Sequence, residues 1–187
     1  MKFQASNPNI LVDLQECSDS ISVNEKLEND SLDFGIIFLR MEDLPRNSLK
    51  LLESEFYLCL PLNHRLSNSE KISFDKLKDE KFILQPKRTV QNFVAMKLSA
   101  EAGFAPNILL NTSQLKTIKE LVSGGVAVSL LPKFVLTDSE NFKAVPIEPP
   151  IKFKVALAWN RFKELSLLGT RFLNFFKELL QSREVKS

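Results

Sequence analysis

The stretch "NTSQLKTIKELVSGGVAVSLLPK", residues 111–133, decides the fold of this chain. Between residues 115 and 122, apolar side chains recur at helical spacing, which predicts a short helix with one apolar face. Gly124 and Gly125 follow, and glycine readily adopts the left-handed turn that ends many helices. The apolar run at 126–131 is then typical of a strand that is buried on both faces.

A strand before this helix would complete a βαβ unit, and "NILLN" at 107–111 has the composition of one. In an open sheet, such a unit places the helix N-terminus at the carboxyl ends of strands, where ligands bind. We expect the helix to begin near residue 113, with Asn111, Thr112 and Ser113 as candidate N-caps. Its N–H groups would suit a carboxylate or phosphate, although most caps bind only their own backbone.

Composition indicates an ordinary globular protein of one large domain or two small ones. The chain has 187 residues, of which 44% are hydrophobic and 26% charged, and its net charge is +2. This charge gives no basic excess for binding nucleic acid. No apolar run approaches the roughly 20 residues of a membrane-spanning helix, and the N-terminus lacks the apolar core of a signal peptide. We therefore expect a cytoplasmic protein with no membrane partner.

Signals of catalysis or of metal binding are nearly absent from the sequence. Cys17 and Cys59 fit neither a disulfide framework nor a metal site, so we interpret both as reduced thiols. The single histidine, His64, lies among turn-forming and charged residues and is expected to be a solvated loop residue. No nucleophile elbow, P-loop or dinucleotide-binding glycine pattern occurs. These observations predict a protein that is not an enzyme and that has no cofactor and no metal.

The remaining segments alternate between strand-like and helix-like patterns, which predicts an α/β fold with mainly parallel sheets. Further strands are expected at 9–17, 32–39, 48–62 and 81–86, and as two pieces within 142–160. Further helices are expected at 18–29, at 90–102 with Val90, Val94 and Leu98 on its apolar face, and over a long C-terminal stretch from 165 to 179.

The order of these segments resembles the effector-binding domain of LysR-type transcriptional regulators. The matching pieces are "NPNILVDLQE", "ISVNEKLENDSLDFGII", "LESEFYLCLPLNHRLSN", "LVSGGVAVSLLP" and "VALAWN". Each piece is a weak motif by itself. Together they occur in the same order over nearly the whole chain, which argues against a chance resemblance.

The resemblance implies a periplasmic-binding-protein-like (type II) fold, in which two α/β subdomains are joined by two crossing strands. The crossings would lie near residues 55–58 and 149–152. Subdomain I would then comprise residues 1–57 plus 150–187, and subdomain II residues 58–149. A small-molecule effector would bind between them.

The resemblance also implies which residues contact the effector: Cys17, Ser18, Phe38, Leu39, Pro86, Lys87, Thr112 and Ser113. Lys87 and Arg88 follow the predicted strand "FILQP" and could attract an anion, although "PKR" is equally typical of a solvated turn. Lys87 is the better candidate, because the resemblance implies that the residue after Pro86 lies at the pocket. We therefore expect the effector to be a carboxylate or another small anion.

The chain departs from the family pattern at its N-terminus. Members normally begin with a DNA-binding helix-turn-helix, a linker helix, and then a strand and a long helix before the stretch equivalent to "NPNILV". The resemblance therefore implies a truncated effector domain, whose subdomain I lacks its first strand and helix. Such a domain would reach DNA only through the absent helix-turn-helix domain, and it would self-associate to cover the incomplete sheet.

Two alternatives remain open from the sequence. The chain could be a stand-alone small-molecule-binding protein or an enzyme on the same kind of fold. It could also be a truncated fragment that binds nothing.

Overall fold

The structure, a computed structural model, describes residues 2–43, 45, 47–137 and 141–184. Its helices are α1 (Lys2–Ser6), α2 (Ser20–Glu28), α3 (Val90–Glu101), α4 (Leu115–Ser123) and α5 (Leu167–Glu184). Its strands are β1 (Phe34–Arg40), β2 (Ser48–Pro61), β3 (Ile72–Ser73), β4 (Lys81–Leu84), β5 (Asn107–Asn111), β6 (Val128–Pro132) and β7 (Phe142–Trp159). Two 3₁₀ turns lie at Phe74–Leu77 and Lys133–Val135.

Two long strands run through the centre of the molecule. β2 has 14 residues and β7 has 18, and they pair antiparallel from Ser48 opposite Ala158 to Pro61 opposite Phe142. The strand order is β1-β7-β2-β6-β4-β5, and β3 pairs with β7 outside this path. The register shifts by one residue between Lys50 and Leu52 and by more between Phe56, opposite Ile151, and Tyr57, opposite Pro146. The second shift divides the pair into two halves. Each half carries its own helices.

The prediction of a mainly parallel sheet is wrong. The pairs β1·β7, β2·β7 and β2·β6 are antiparallel, and parallel pairing is confined to β4·β5, β4·β6 and the short β3·β7. Alternation of strand and helix along the chain predicts parallel neighbours only when consecutive strands pair. Here the long strands β2 and β7 are distant in sequence and pair directly, and the local pattern does not reveal this.

The predicted βαβ unit is present. β5 and β6 both run parallel to β4, which lies between them, and α4 connects the two outer strands. All five residues of β6 are buried, as expected for a strand that is covered on both faces. Gly125 has a φ of +74°, so it supplies the left-handed residue after α4, whereas Gly124 has an ordinary negative φ.

The predicted strand at 9–17 is not formed. Residues 10–17 adopt no regular structure, and Leu11 and Leu14 are 87% and 75% exposed. Within the described residues, β1 pairs only with β7, and residues 9–17 form no backbone hydrogen-bond ladder with the outer edge of β1. Alternation of apolar and polar residues is therefore not sufficient, because a strand also needs a neighbour that accepts its backbone hydrogen bonds.

Helix α2 lies close against β1 because the strand carries a glycine there. A Cβ atom on Gly35 would overlap Cγ1 of Val23 on the helix. Val23 and Leu27 pack with Ile37, Ala156 and Ala158 to form this small core. The close packing fixes where the N-terminus of α2 lies relative to the end of β1.

His64 is not a solvated loop residue. Its side chain is only 13% exposed, its Nε2 lies 3.1 Å from Oε1 of Glu80, and its Nδ1 accepts a hydrogen bond from the N–H of Leu66 at 3.2 Å. Arg65 donates to the same Glu80 oxygen at 3.0 Å. Turn formers around a histidine indicate a loop, but only the fold shows that Glu80 lies beside it.

The C-terminal helix is formed as predicted and receives α1, a short helix that the sequence analysis missed. The Phe3 ring of α1 is buried, with its centroid 5.0 Å from that of Phe172 and 5.3 Å from that of Phe175 on α5. α5 has a half-buried face, while Leu167 and Leu168 stay exposed. None of the helices in the described part of the chain combines the length and apolarity that a bilayer-spanning segment needs.

We expect the chain to self-associate through the outer side of β1. Its backbone edge is unpaired within the described residues, Ile36 on this strand is 55% exposed, and Leu11 and Leu14 are also exposed. Analytical ultracentrifugation should show dimers or larger species, and Leu14→Glu should shift them toward monomer. The control is Leu62→Glu, because Leu62 is also an exposed leucine but directly follows the last residue of β2, away from β1. A monomer at high concentration with an ordinary cooperative melt would contradict the prediction.

We expect Gly35→Ala to destabilise the chain by about 1–3 kcal/mol, the usual cost of forcing an extra methyl group into a packed site. The added Cβ would overlap Val23, so α2 would have to move away from β1. Val23→Ala removes the overlapping methyl groups, so the double variant should lose less stability than the two single losses added together. Urea denaturation followed by circular dichroism measures all four free energies of unfolding. Strictly additive losses would show that the two residues do not compete for this space.

Candidate functional site

The N-termini of three helices meet where β1, β4 and β5 end. The Arg88 side chain, just before α3, lies with its Nε 3.8 Å from Oδ1 of Asp19, the N-cap of α2, and donates to Glu25 further along α2 at 2.7 Å. The Asn92 side chain on α3 donates to Asn111 at the end of β5, just before α4, at 3.3 Å. We call the space between them the cleft. Its first wall comprises residues 17–25 and 38–40, and its second wall residues 85–93 and 111–117.

The first wall is organised by Asp19, the N-cap of α2. Its Oδ1 accepts hydrogen bonds from the N–H of Ser22 at 2.7 Å and from Oγ of Ser22 at 3.0 Å, and Oγ of Ser18 donates to its Oδ2 at 3.2 Å. Burial raises the pKa of Asp19, but these hydrogen bonds outweigh it and hold the pKa below its ordinary value. Ser20 accepts from the N–H of Phe38 at 2.9 Å, which ties α2 to the end of β1.

Two buried amide side chains fix the second wall. The N–H of Gln85 donates to Gln91 at 2.9 Å, and Asn92 donates to the carbonyl oxygen of Gln85 at 2.8 Å. Gln91 also donates to the carbonyl oxygen of Leu130 on β6 at 3.1 Å. Both amides are almost fully buried, so breaking any of these bonds would leave a desolvated polar group unpaired. The chain after β4 is therefore held rigidly against α3 and β6.

Sequence analysis missed these two amides. The predicted apolar face of α3 carries Val90, Val94 and Leu98, which are only half-buried, while Gln91 and Asn92 are buried. Helical periodicity of apolar residues locates a hydrophobic face, but it carries no signal for polar side chains that bond to distant backbone. The positions of Gln91 and Asn92 directly after the cap would have been the only hint.

The loop between β4 and α3 presents its two cations on a closed turn. Thr89 donates its N–H and its Oγ1 to the carbonyl oxygen of Pro86, at 3.0 and 2.8 Å. Thr89 also caps α3 by accepting from the N–H of Asn92 at 3.2 Å. Lys87 is exposed and has no ion-pair partner among the described residues, whereas Arg88 reaches to the first wall.

Helix α4 begins later than the sequence predicts. It starts at Leu115 after Gln114, so the predicted start near residue 113 and the capping role of Asn111–Ser113 are wrong. Asn111 still belongs to β5, and the N–H of Thr112 donates to the carbonyl oxygen of Leu84 at 2.9 Å. Thr112 instead accepts from the N–H of Gln114 at 3.1 Å. The N-cap residue Gln114 makes no side-chain capping bond, so within the described residues the first-turn N–H groups of α4 keep their hydrogen-bonding capacity.

The eight residues that the resemblance implies do not all lie at the cleft surface. Pro86, Lys87, Thr112 and Ser113 lie on the second wall. Ser18 and Phe38 lie on the first, and the Phe38 ring is 6.4 Å from the ring of Phe134. Cys17 and Leu39 are half-buried and pack against the cluster beneath α2, on the opposite face of β1 from Phe38.

The two walls touch through two arginine side chains that cross in opposite directions. Arg88 reaches from the second wall to Glu25, and its Nε lies 3.8 Å from Oδ1 of Asp19. Arg40 reaches from the first wall, and its guanidinium carbon lies 5.1 Å from the centre of the Phe93 ring. Asp43 holds Arg40 in place with an ion pair of 2.9 Å. These contacts join the two walls.

Two cavities lie elsewhere in the described part of the chain. One, of about 490 Å³, is lined by residues of both α1 and α5, and the other, of about 280 Å³, lies between α2 and the end of β7. Neither is lined by any of the eight implied residues. In the described part of the chain, no three His, Cys, Asp or Glu side chains come together as metal ligands would.

Comparison with known proteins is consistent with this architecture. The HTH-type transcriptional regulator YwbI of Bacillus subtilis (strain 168) is 30% identical over 181 residues, covering 95% of this chain and 60% of its own length. The transcriptional dual regulator GltC of the same strain is 31% identical over 137 residues, covering 72% of this chain and 46% of its own. The chain thus spans about 60% or less of these two relatives.

Solved structures share the fold. The CcmR regulatory domain of Synechocystis PCC6803, in complex with 2-PG, has a TM-score of 0.83 at 21% identity, with 96% of this chain and 88% of that one covered. The effector-binding domain of QuiR, in complex with shikimate, has a TM-score of 0.81 at 22% identity, with 97% and 88% covered. The predicted periplasmic-binding-protein-like α/β fold is therefore confirmed, whereas the boundaries of the two subdomains stay a prediction.

The family pattern described as "LysR substrate binding domain" matches residues 1–181, almost the whole chain. The segment order, the fold and this match agree, and the chain belongs to the family of LysR substrate-binding domains, the effector-binding part of LysR-type transcriptional regulators.

Proposed function

We propose that the effector of this domain is a small anion, most simply a carboxylate, which binds in the cleft between the two walls. The observation that carries the proposal is the meeting of the N-termini of α2, α3 and α4 beside Lys87 and Arg88. Helix N-termini carry a partial positive charge, and the cations add to it.

Helix α4 offers the most available donors. α2 and α3 are capped by Asp19 and Thr89, whereas α4 has no side-chain cap. An anion at such an N-terminus gains about 0.3–1 kcal/mol, and up to about 2 kcal/mol when the site is partly buried. The exposed Ser113 and the half-buried Thr112 would add hydroxyl groups, and Lys87 a charge with no competing ion pair among the described residues.

The structural relatives support a small-molecule effector of this chemical class. QuiR binds shikimate, which carries a carboxylate, and CcmR binds 2-PG. Sequence identities near 20% establish only the shared fold, so the chemical class of this chain's effector is inferred from the residues of its own cleft. The charge of the second wall is what favours an anion here.

The wider role follows from the family. The relatives are regulators of transcription, so this domain would sense its effector in the cytoplasm without catalysing a reaction. It would act on DNA through a helix-turn-helix domain and would work as an oligomer. Of its alternatives, a fragment that binds nothing is separated from this role by the titration below. A stand-alone binding protein or an enzyme on the same kind of fold would differ in having no helix-turn-helix domain to act through.

We expect Lys87→Ala and the double variant Thr112→Ala with Ser113→Ala each to weaken anion binding. Each lost charge-assisted hydrogen bond should cost about 1.5–3 kcal/mol. Isothermal titration with acetate, malonate, benzoate and shikimate measures the loss. Lys97→Ala on α3 and Ser123→Ala at the far end of α4 are the matched controls, since both lie outside the cleft walls. Unchanged affinity in both test variants would place the anion site elsewhere, and absence of any binding would favour the non-binding fragment.

We also expect this chain by itself not to bind DNA in a sequence-selective manner. Its net charge of +2 would release few counterions from a duplex, and the sequence contains no helix-turn-helix pattern. An electrophoretic mobility shift assay at physiological salt, with promoter DNA from the neighbouring genes and a scrambled duplex of equal length, tests this. Preferential binding of the promoter duplex would contradict the expectation.

A further inference from the structure

We infer that Arg88 selects anions in the cleft together with Lys87, and that it does so by exchanging Glu25 for the ligand. This inference rests on the proposed anion-binding function and names both the residue and the exchange that carry it. Its second part, the contact between the walls, is measurable without a ligand.

Arg88 is the cation that crosses the cleft from the second wall to the first. Its side chain starts from the closed turn at 86–89 on the second wall, and Nη2 donates to Oε1 of Glu25 on the first wall at 2.7 Å. Nε lies 3.8 Å from Oδ1 of Asp19, which is too long for a hydrogen bond. A guanidinium carries five N–H donors, and only one makes a short bond to the described residues. The others are available to a ligand without any change of the turn.

The two acidic partners of Arg88 differ in how readily they can leave. The Asp19 side chain is 6% exposed and accepts hydrogen bonds from Ser22 and Ser18, so it is held in place as the cap of α2. The Glu25 side chain is 62% exposed, and within the described residues its carboxylate bonds to Arg88 alone. Glu25 is therefore the exchangeable partner and Asp19 the fixed one.

The exposure of the Arg88–Glu25 pair also determines how much free energy a ligand has to supply to replace Glu25. The Arg88–Glu25 pair is 48% and 62% exposed, and exposed ion pairs of this kind contribute little to stability. A carboxylate that entered the cleft would replace Glu25 at small cost and could bind the guanidinium with two parallel hydrogen bonds. Lys87 cannot offer this geometry, since an ammonium is a point charge and is more strongly hydrated.

The exchange would change the contact between the walls. Without ligand, Arg88 bonds directly to α2, while Arg40 lies over Phe93 in the opposite direction. With an anion bound, the link from Arg88 to the first wall would run through the ligand, and α2 would lose its direct bond to the second wall. The packing of α2 against the second wall would then report occupancy of the cleft.

The chain offers a matched control pair. Arg161 and Glu28 form an ion pair of 2.9 Å whose side chains are 61% and 43% exposed, and Glu28 lies on the same helix as Glu25. Arg161 follows β7 and lies outside both cleft walls. Replacing these residues makes the same change in net charge without touching the crossing contact.

The first experiment uses the ligand-free chain. Hydrogen–deuterium exchange of residues 18–22 and 86–93 should accelerate about two- to fivefold in Arg88→Gln and in Glu25→Gln. It should stay unchanged in Arg161→Gln and Glu28→Gln. Equal exchange in all five proteins would overturn the claim that Arg88 holds the walls together.

The second experiment titrates the same variants with malonate, benzoate, shikimate and inorganic phosphate. For any probe that binds the parent, Arg88→Gln should weaken binding at least tenfold, Arg88→Lys should restore part of it, and Glu25→Gln should tighten it about two- to fivefold. The double variant Arg88→Gln with Glu25→Gln should bind each probe with the same affinity as Arg88→Gln, because Glu25 competes with the ligand only for Arg88. The control variants should bind as the parent does, and melting curves establish that every variant is folded.

The outcomes separate this inference from the proposed function. A probe that binds the parent and Arg88→Gln equally well would overturn the selection by Arg88 and leave an anion site intact. Failure of every probe to bind the parent would overturn the proposed anionic effector and this exchange together. Tighter binding in Glu28→Gln equal to that in Glu25→Gln would reduce the effect to net charge and would overturn the exchange.

Discussion

The antiparallel pairing of β2 with β7 is the constraint on which the rest of the structure depends. β1 pairs with β7 on one side, and β6, β4 and β5 extend from β2 on the other, so every strand of the main sheet is anchored to this pair. The two strands are joined by bonds between residues far apart in the chain, from Ser48 with Ala158 to Pro61 with Phe142. The change of register after Phe56 divides the pair, and the cleft walls belong to its two halves.

The cleft is formed by the ends of helices and strands, and the hydrogen bonds made at those ends determine which ligands it can bind. At α2 and α3 the caps Asp19 and Thr89 satisfy the helix, while α4 begins without a side-chain cap. The buried amides Gln91 and Asn92 fix the turn after β4, because an unpaired polar group at those positions would be costly. A rigid turn next to uncapped N–H groups suits the recognition of a small charged ligand, since little order has to be created on binding.

The charged side chains of the cleft connect its two walls through weak contacts. Arg88 and Arg40 cross from opposite walls, one to an exposed carboxylate and the other to an aromatic ring. Exposed ion pairs and cation–π contacts each contribute about 1 kcal/mol or less. A domain that has to respond to a ligand needs contacts of this size, because a strong bond between the walls would compete with the effector itself.

The sequence by itself determined the local elements whose signals are local. The helical spacing of α4, the apolar run of β6, the glycine after α4 and the long C-terminal helix are all read from neighbouring residues, and the order of these segments was sufficient to identify the family. The alternation of apolar and polar residues at 9–17 led to a wrong strand prediction, because a strand needs a partner strand that lies elsewhere in the chain. Only the tertiary structure decided that β2 pairs with β7, that Gln91 and Asn92 are buried, and that Arg88 lies beside Asp19 and Glu25. Arg88 and Glu25 are 63 residues apart, and a contact over that distance is set by how the sheet brings two loops together rather than by the residues around either one.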